Sequence, residues 1–389
     1  MSLYRPPRNI LLLGLTSFLN DLSGEMVLAV FPAFFISVLK TGAGSLGLVE
    51  GVADAASNLI KIYAGRLSDH IQKRKPFIVI GYVLAVAIRP VYMLAGNVLS
   101  VLGLRFLDRV GKGLREGPRD AVISLSTRKE DAGVAFGFHR AMDTLGAIVG
   151  PLIAYVLLKH YPGDFNKVFL TAFVLGIFAV LSTLFVNDVV GQFRKKNISL
   201  AAWSGYPKNF KRYLVALFFL SMGSIPIAVL LLKTQHIPEL TLASIPLFYM
   251  LYNVSYAAFS MTAGSLSDKY GAKNIIRIGY LVLLFGYTIV AFADSAPLLI
   301  LGFLVLGFFP ALTDGVQRAF ASTLSPEEKR SGAFGLVNAT SGFGLMGAGI
   351  FGGYLWQHVG VSVALLAAAI FVVLGIAILS SISPQESGA

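Results

Sequence analysis

The sequence predicts an all-α membrane protein with twelve transmembrane helices, laid out as two six-helix bundles related by pseudo-two-fold symmetry. Three observations carry this expectation. First, 56% of the 389 residues are hydrophobic and only 13% are charged, with a mean hydropathy of +0.73. A soluble domain carries about a quarter charged residues, so this chain could not cover its own surface in water. An ordinary soluble enzyme and a disordered chain are thereby excluded. Second, apolar runs of the roughly 20 residues that a spanning helix needs recur almost end to end. Third, the two halves of the chain resemble each other at a near-constant offset. The absence of Cys removes disulfides, thiolate metal sites and cysteine nucleophiles.

The first six expected spans cover residues 9–39, 46–65, 77–94, 98–125, 133–158 and 168–186. A polar stretch, 191–212, follows. The next six cover 213–232, 245–266, 275–292, 298–324, 332–356 and 361–382. The first run lacks a cleavage pattern and is too long for a signal peptide, so it reads as a retained helix. The expected organisation is an N-terminal bundle over 1–190, a cytoplasmic central loop over 191–212 and a C-terminal bundle over 213–389.

Lys and Arg in short loops set orientation. Arg5 and Arg8 precede span one. Lys73, Arg74 and Lys75 join spans two and three, and Arg128 and Lys129 join four and five. The central loop holds Arg194, Lys195, Lys196, Lys208, Lys211 and Arg212. Lys269, Lys273, Lys329 and Arg330 continue the pattern. The alternate loops hold little beyond Lys40, Lys159, Lys167 and Lys233. Both termini are therefore expected in the cytoplasm. Much of the net charge of +12 is this orientation signal, so a nucleic-acid partner is not expected.

The repeat is visible residue by residue. Ala135-Phe136-Gly137 recurs 198 positions on as Ala333-Phe334-Gly335. At the same offset Gly117 meets Gly315, Ser124 meets Ser322, Glu130 meets Glu328 and Gly146 meets Gly344. A six-span unit repeated in parallel is a transporter architecture.

Gly65-Arg66-Leu67-Ser68-Asp69, continuing through Arg74 and Lys75, resembles the loop 2–3 signature of the major facilitator superfamily, G-x-L-[SA]-D-[RK]-x-G-[RK]-[RK]. His70 stands for a basic residue and Gln72 for the Gly. The second copy, Gly264-Ser265-Leu266-Ser267-Asp268-Lys269, follows the pattern more closely. Gly137, Gly146, Gly150, Pro151 and Ala154 resemble the span-five signature associated with antiporters of that superfamily. Arg109-x-x-Lys112-Gly113 resembles the R-x-x-Q-G element, with Lys112 in place of Gln. Phe18 to Met26, Arg109 to Ala121 and Phe136 to Thr144 resemble a bacterial permease group of unassigned substrate. The resemblance implies two bundles that rock about a central cavity, giving alternating access. It makes Gly65, Asp69, Arg74, Gly264 and Asp268 gating candidates, and Gly146, Gly150 and Pro151 a seal on one side of the cavity. Lys73, Arg74 and Lys75 also serve topology.

Ionisable groups at bilayer depth are costly and point to function. Asp21 and Glu25 lie four apart on one face of span one. Asp54, Asn58 and Lys61 share a stripe of span two. Arg105, Asp108, Arg109, Lys112, Arg115 and Arg119 form a seam along span four, and span five adds His139, Arg140 and Asp143. The second half has little to match: at the 198 offset His139, Arg140 and Asp143 become Val337, Asn338 and Ser341. Asp21, Glu25 and Asp143 are the expected proton carriers, with Arg105, Arg109 and Arg140 as partners. Asp54, Asn58, Lys61, Arg109, Lys112 and His139, with Tyr249, Tyr252, Asn253 and Tyr256 of the apolar half, are the expected substrate contacts. Arg115, Glu116, Arg119 and Asp120 read as static ion pairs.

The expected function is proton-coupled export of an amphipathic small molecule by a monomer in the bacterial inner membrane. The alternative is proton-coupled uptake of an anionic metabolite such as an organic phosphate, a polycarboxylate or a carboxylate siderophore, because Arg recognises such groups bidentately. No cofactor, metal or enzymatic activity is expected. The partners are the substrate, protons and the lipid bilayer.

Overall fold

The computed structural model describes residues 6–71, 73–128, 131–189, 205–326 and 329–382, without the side chains at 66, 69, 261 and 331. Arg5, Lys129, Glu130, Arg194, Lys195, Lys196, Glu328 and the side chain of Asp69 therefore lie outside the described residues. No strand occurs among those that are described.

Among the described residues, twelve helical spans stand where the apolar runs place them. The first six are α1 (Arg8–Ser37), α2 (Ala43–Ile71), α3 (Lys75–Val91), α4 (Val98–Leu125), α5 (Ala132–His160) and α6 (Phe165–Leu184). A 3-10 turn, Tyr92–Leu94, prolongs α3. Span seven is α7 (Lys208–Met222) with a short α8 (Ile227–Leu230) and a 3-10 turn, Leu231–His236. Spans eight to ten are α9 (Ile245–Tyr270), α10 (Ala272–Phe292) and α11 (Ala296–Leu324). Span eleven is α12 (Arg330–Gly347), a π-helical turn at Ala348–Gly352 and α13 (Gly353–His358). The last is α14 (Val361–Ser380).

Local chemistry sets several of these boundaries. Asn97 caps α4 by accepting the Ser100 N–H at 2.9 Å, and Asp164 caps α6 through the Lys167 N–H at 3.3 Å. Span seven departs from the single run expected. Pro226 has no N–H and cannot continue a helix, so the chain breaks between Met222 and Ile227. Tyr287 closes the break: its Oη donates to the Gly223 carbonyl and accepts the Ile225 N–H, both at 2.9 Å.

Among the described residues ten spans are long and apolar enough to cross a membrane. The other two are α2 and α4. In α4 alone there are eight charged side chains. Each would cost about 2.5–3.5 kcal/mol at the centre of an isolated spanning helix, so α4 is a membrane helix only if protein neighbours neutralise it.

The chain divides into two compact units. One comprises Met1–Lys40, Ala56–Arg194 and Ala243–Met250. Here α5 lies directly on α1. A Cβ at Gly146 would sit 2.5 Å from the Phe18 carbonyl and 2.7 Å from the Leu22 N, and one at Gly150 would strike the Leu22 carbonyl. Only glycine allows this backbone contact. In the same way α3 meets α4, with a Cβ at Gly81 2.6 Å from the Gly111 carbonyl. The end opposite the α1 N-terminus is filled by aromatic edges, Phe31 on Tyr92 at 5.1 Å and Phe34 on Phe169 at 5.4 Å.

The other unit comprises Thr41–Ala55, Lys195–Leu242 and Leu251–Ala389. It repeats the contacts of the first: Gly344 takes the place of Gly146, where a Cβ would lie 2.9 Å from the Phe218 carbonyl, while Gly279 takes that of Gly81 and packs against Thr313. The first half of α2 lies on span eleven within this unit. Gly47 and Gly349 meet backbone to backbone, and the Gly44 N–H donates to Gln357 Oε1 at 2.9 Å.

Candidate functional site

The site grows from the glycine contact between α1 and α5. That contact brings the charged turn of α1 against the charged turn of α5. Ser17 Oγ donates to Asp143 Oδ1 at 2.5 Å, and Arg140 pairs with Asp143 Oδ2 at 3.3 Å. Asp21 lies one turn further along α1, within side-chain hydrogen-bonding reach of Asp143. Its Oδ1 accepts from Asn20 Nδ2 at 3.0 Å. Two acidic side chains from different helices thus face each other inside one unit.

Glu25, a turn beyond Asp21, accepts from Tyr249 Oη at 2.6 Å. Tyr249 belongs to the part of α9 grouped with this unit. The cations acting on Glu25 are Lys112, Arg109 and Arg105, all from α4. Lys112 also acts on Asp21 and lies 3.7 Å from Glu116, so this residue, a Gln in the family element, is the cation common to three carboxylates.

The α4 seam is paired at three carboxylates along its length. Arg105 pairs with Asp108 at 2.9 Å, Lys61 of α2 reaches Glu116 at 2.7 Å, and Arg119 binds Asp120 at 3.0 Å. Arg115 lies over the Tyr82 ring at 4.6 Å. Arg119 also acts on Asp143 and on buried His139. Arg119 and Glu116 are therefore part of one network with Asp143.

Several candidates fall elsewhere. Asp54 lies on the half of α2 that groups with the second unit, as do Tyr252, Asn253 and Tyr256, while Asn58 and Lys61 lie in the first. Gly65 approaches α4, where a Cβ on Gly117 would meet its Cα at 3.4 Å. Gly264 has nothing within 4 Å of a Cβ position, so close helix approach does not explain it here, and Asp268 is exposed. Arg74 is 1% exposed and donates to the Val189 carbonyl at 2.7 Å, with its own N–H on Asp188 Oδ1 at 3.1 Å. That guanidinium ties the α2–α3 connection to the chain just beyond α6. Gly146, Gly150 and Pro151 are buried on α1.

Sequence reasoning passed over Arg89, Asn20 and Ser17. Arg89 is the one charged residue between 77 and 94, which is itself a signal in an apolar run. It is 3% exposed and lines a small cavity with Gly24, Val27, Ala85, Tyr92, Arg105 and Asp108. Asn20 and Ser17 carry no charge, so charge patterning does not mark them, although Asn20 lies beside Asp21 in the family-like stretch Phe18 to Met26. No cluster of three His, Cys, Asp or Glu that could hold a metal occurs among the described residues.

Comparison with known proteins fits this architecture. The Major Facilitator Superfamily profile matches residues 13–251 and 213–388. An uncharacterised MFS-type transporter of Methanocaldococcus jannaschii is 35% identical over 357 residues, covering 90% of this chain and 89% of that one. A multi-drug resistance efflux pump PmrA homolog of Lactococcus lactis is 25% identical over 383 residues, covering 95% and 93%. Among solved structures, a point mutant of the nucleoside transporter NupG superposes with a TM-score of 0.82 over 97% of this chain and 100% of that one, at 17% identity, which speaks to fold alone. The chain belongs to the Major Facilitator Superfamily and is a multi-pass membrane transporter of that type.

Proposed function

We propose that this transporter couples proton movement to export of an amphipathic small molecule, with Asp21 and Asp143 as the proton site. The observation that carries the reading is the facing pair of carboxyls on α1 and α5. Two such groups within hydrogen-bonding reach share a proton, because both cannot ionise side by side at low cost. Arg140 and Lys112 favour the ionised form, so displacement of either cation when the helices move is a route to proton uptake. Glu25, held by Tyr249, is the third carrier. Arg105 and Arg109 tune it from α4.

Two observations support export. Gly146 and Gly150, from the antiporter-like signature, are the contacts that press α5 on α1, and a full-length relative is named as a multi-drug efflux pump homolog. The pairing of cations along α4 argues against uptake of an anion: Arg105 and Arg119 already hold carboxylates, and Lys112 shares Glu116 with Lys61 of α2. Tyr252, Asn253 and Tyr256 serve as an apolar, aromatic contact for the cargo. The protein acts as a monomer in a bacterial cytoplasmic membrane, with both termini in the cytoplasm, and Gly65, Asp69, Gly264 and Asp268 gate it.

Proteoliposomes test this directly. With an acid lumen, accumulation of an amphipathic cationic dye that collapses with the proton gradient is expected. Uptake of a phosphorylated or carboxylated compound in the same direction as protons would sink the export reading. Gradient-driven transport that survives Asp21→Asn and Asp143→Asn together would sink the proton site.

A further inference from the structure

We infer that Arg89 is a positioning residue for Asp21, acting through Asn20. The inference rests on the reading of Asp21 as a proton carrier and deepens it. Arg89 lies inside α3, and its guanidinium is given to neutral oxygens of α1. One amino group donates to Ser23 Oγ. The other donates to the Asn20 carbonyl at 3.1 Å and to Asn20 Oδ1 at 3.0 Å. Arg89, Asn20 and Ser23 are all buried, and a Cβ at Gly176 of α6 would collide with the guanidinium. The arginine has one fitted position.

The consequence follows from donor inventory. Guanidinium has donors and no acceptor. Asn20 therefore meets it with the amide oxygen, and its Nδ2 is turned the other way, onto Asp21 Oδ1 at 3.0 Å. An Asn between two ambivalent partners flips freely and presents either atom. This one is locked as a donor to Asp21. Oδ1 is kept as an acceptor, which favours Oδ2 as the seat of a proton carried by Asp21. The fork of Arg89 matters as well as its charge, because one amino group holds both oxygens of Asn20 only while the other is anchored on Ser23 Oγ. Arg89 also feels the charge of Asp21 directly, and the other titratable and charged groups around Asp21 are Tyr82 on α3, Glu25 on α1, Asp143 on α5 with Arg140 beside it, and Lys112 on α4. Asp108 of α4 faces Arg89, and α6, also packed on α1, brings no charge to this level.

The test needs no knowledge of the cargo. Infrared difference spectra of the full-length protein in lipid vesicles are recorded across pH, and Asp21→Asn assigns the carboxylic C=O band of Asp21. Asn20→Ala removes a donor that favours the ionised carboxyl, so the band persists to higher pH, by about one unit or more. Arg89→Lys keeps the charge and loses the fork. It moves the midpoint the same way in the unsubstituted protein, and no further in the Asn20→Ala background. Melting temperatures are measured alongside. A midpoint that stays put in both variants while stability falls means a packing role and overturns the inference. So does an Arg89→Lys shift of equal size with and without Asn20, which means Arg89 acts on Asp21 through space. Should Asn20→Ala fail to fold, Arg89→Lys alone decides, since an unmoved midpoint there already overturns it. An Asp21 band that never responds to pH in the unsubstituted protein defeats the proton site itself, a different failure.

Discussion

Tyr82 in the first unit and Tyr280 in the second stand 198 residues apart on equivalent helices, and both are fully buried. Tyr280 Oη accepts from Gln317 at 3.0 Å. Tyr82 faces Arg119, the residue 198 positions before Gln317. The same substitution of charge by neutral polarity recurs nearby. Arg89 reaches into the middle of α1, and Tyr287, its counterpart at the same offset, reaches into the break of span seven. Arg115 corresponds to Thr313, and both pack against the glycine that joins two helices, Gly81 and Gly279. The second unit makes these contacts without a charge. The fold therefore does not require the charges of the first unit, and their cost at bilayer depth needs a reason outside packing.

The largest expected effect tests that conclusion. Asp143→Asn should lower gradient-driven dye transport about a hundredfold or more, the scale of a lost proton-transfer group, while the protein still folds and inserts. Ser341→Ala, at the matching place in the second half, should leave transport within about twofold of normal, since no network converges there. Equal losses at both positions would erase the functional difference between the halves.

The architecture was legible in the sequence because bilayer physics writes it in single letters: length of apolar run, Lys and Arg in loops, glycine where helices touch. Span seven crosses where its apolar run lies, but its break at Gly223 to Pro226 is not visible in the sequence pattern, because hydropathy does not register a missing N–H. The site was half legible. Asp21, Glu25, Asp143, Lys112 and Arg140 announce themselves by charge. What joins them does not. Ser17 and Asn20 are polar only by a hydroxyl and an amide, and their role depends on which neighbour lies within 3 Å. Arg115, Glu116, Arg119 and Asp120 read as a static network, and spacing along one helix does not reveal that Arg119 also faces α5. Asp54 and Lys61 share a stripe of α2 yet fall in different units, a division that helical periodicity does not show.

The contact that builds the site should be sensitive to size next. Gly150→Val places methyl groups where the Leu22 carbonyl lies, so α1 and α5 must separate or the helix must bend. A loss of about 1–3 kcal/mol, the range for overpacking, and loss of transport are expected. Gly137→Ala, in the same signature but with nothing within 4 Å of its Cβ, should be neutral or stabilising by up to about 1 kcal/mol. A thermal shift assay on both separates a packing signature from a mere preference for small residues.

In the second half the matching question is whether neutral partners hold as well as charged ones. Tyr287→Phe leaves the Gly223 carbonyl and the Ile225 N–H of span seven without their hydroxyl. Hydrogen bonds within membrane proteins average about 0.6 kcal/mol and reach about 1.7. A loss of about 1 kcal/mol, read as a drop in melting temperature, is expected, with transport retained in proportion to folded protein.

The smallest expected effect on stability is the most direct transplant. Arg119→Gln converts the pair facing Tyr82 into the Tyr280–Gln317 arrangement of the second unit. Asp120, which loses its 3.0 Å partner, has a side chain 46% exposed and remains hydrated, and Asp143 keeps Arg140. Because the Gln amide can still donate where Arg119 did, stability should change by about 1 kcal/mol, the net scale of one hydrogen bond. Transport should change in another way: with one cation gone from beside Asp143, the carboxyl pair holds its proton to higher pH, so the rate–pH curve moves upward in pH while the fold persists. A loss of several kcal/mol instead would show that Arg119 is structural, that the two tyrosine pairs are not interchangeable, and that the charge of the first half serves packing after all.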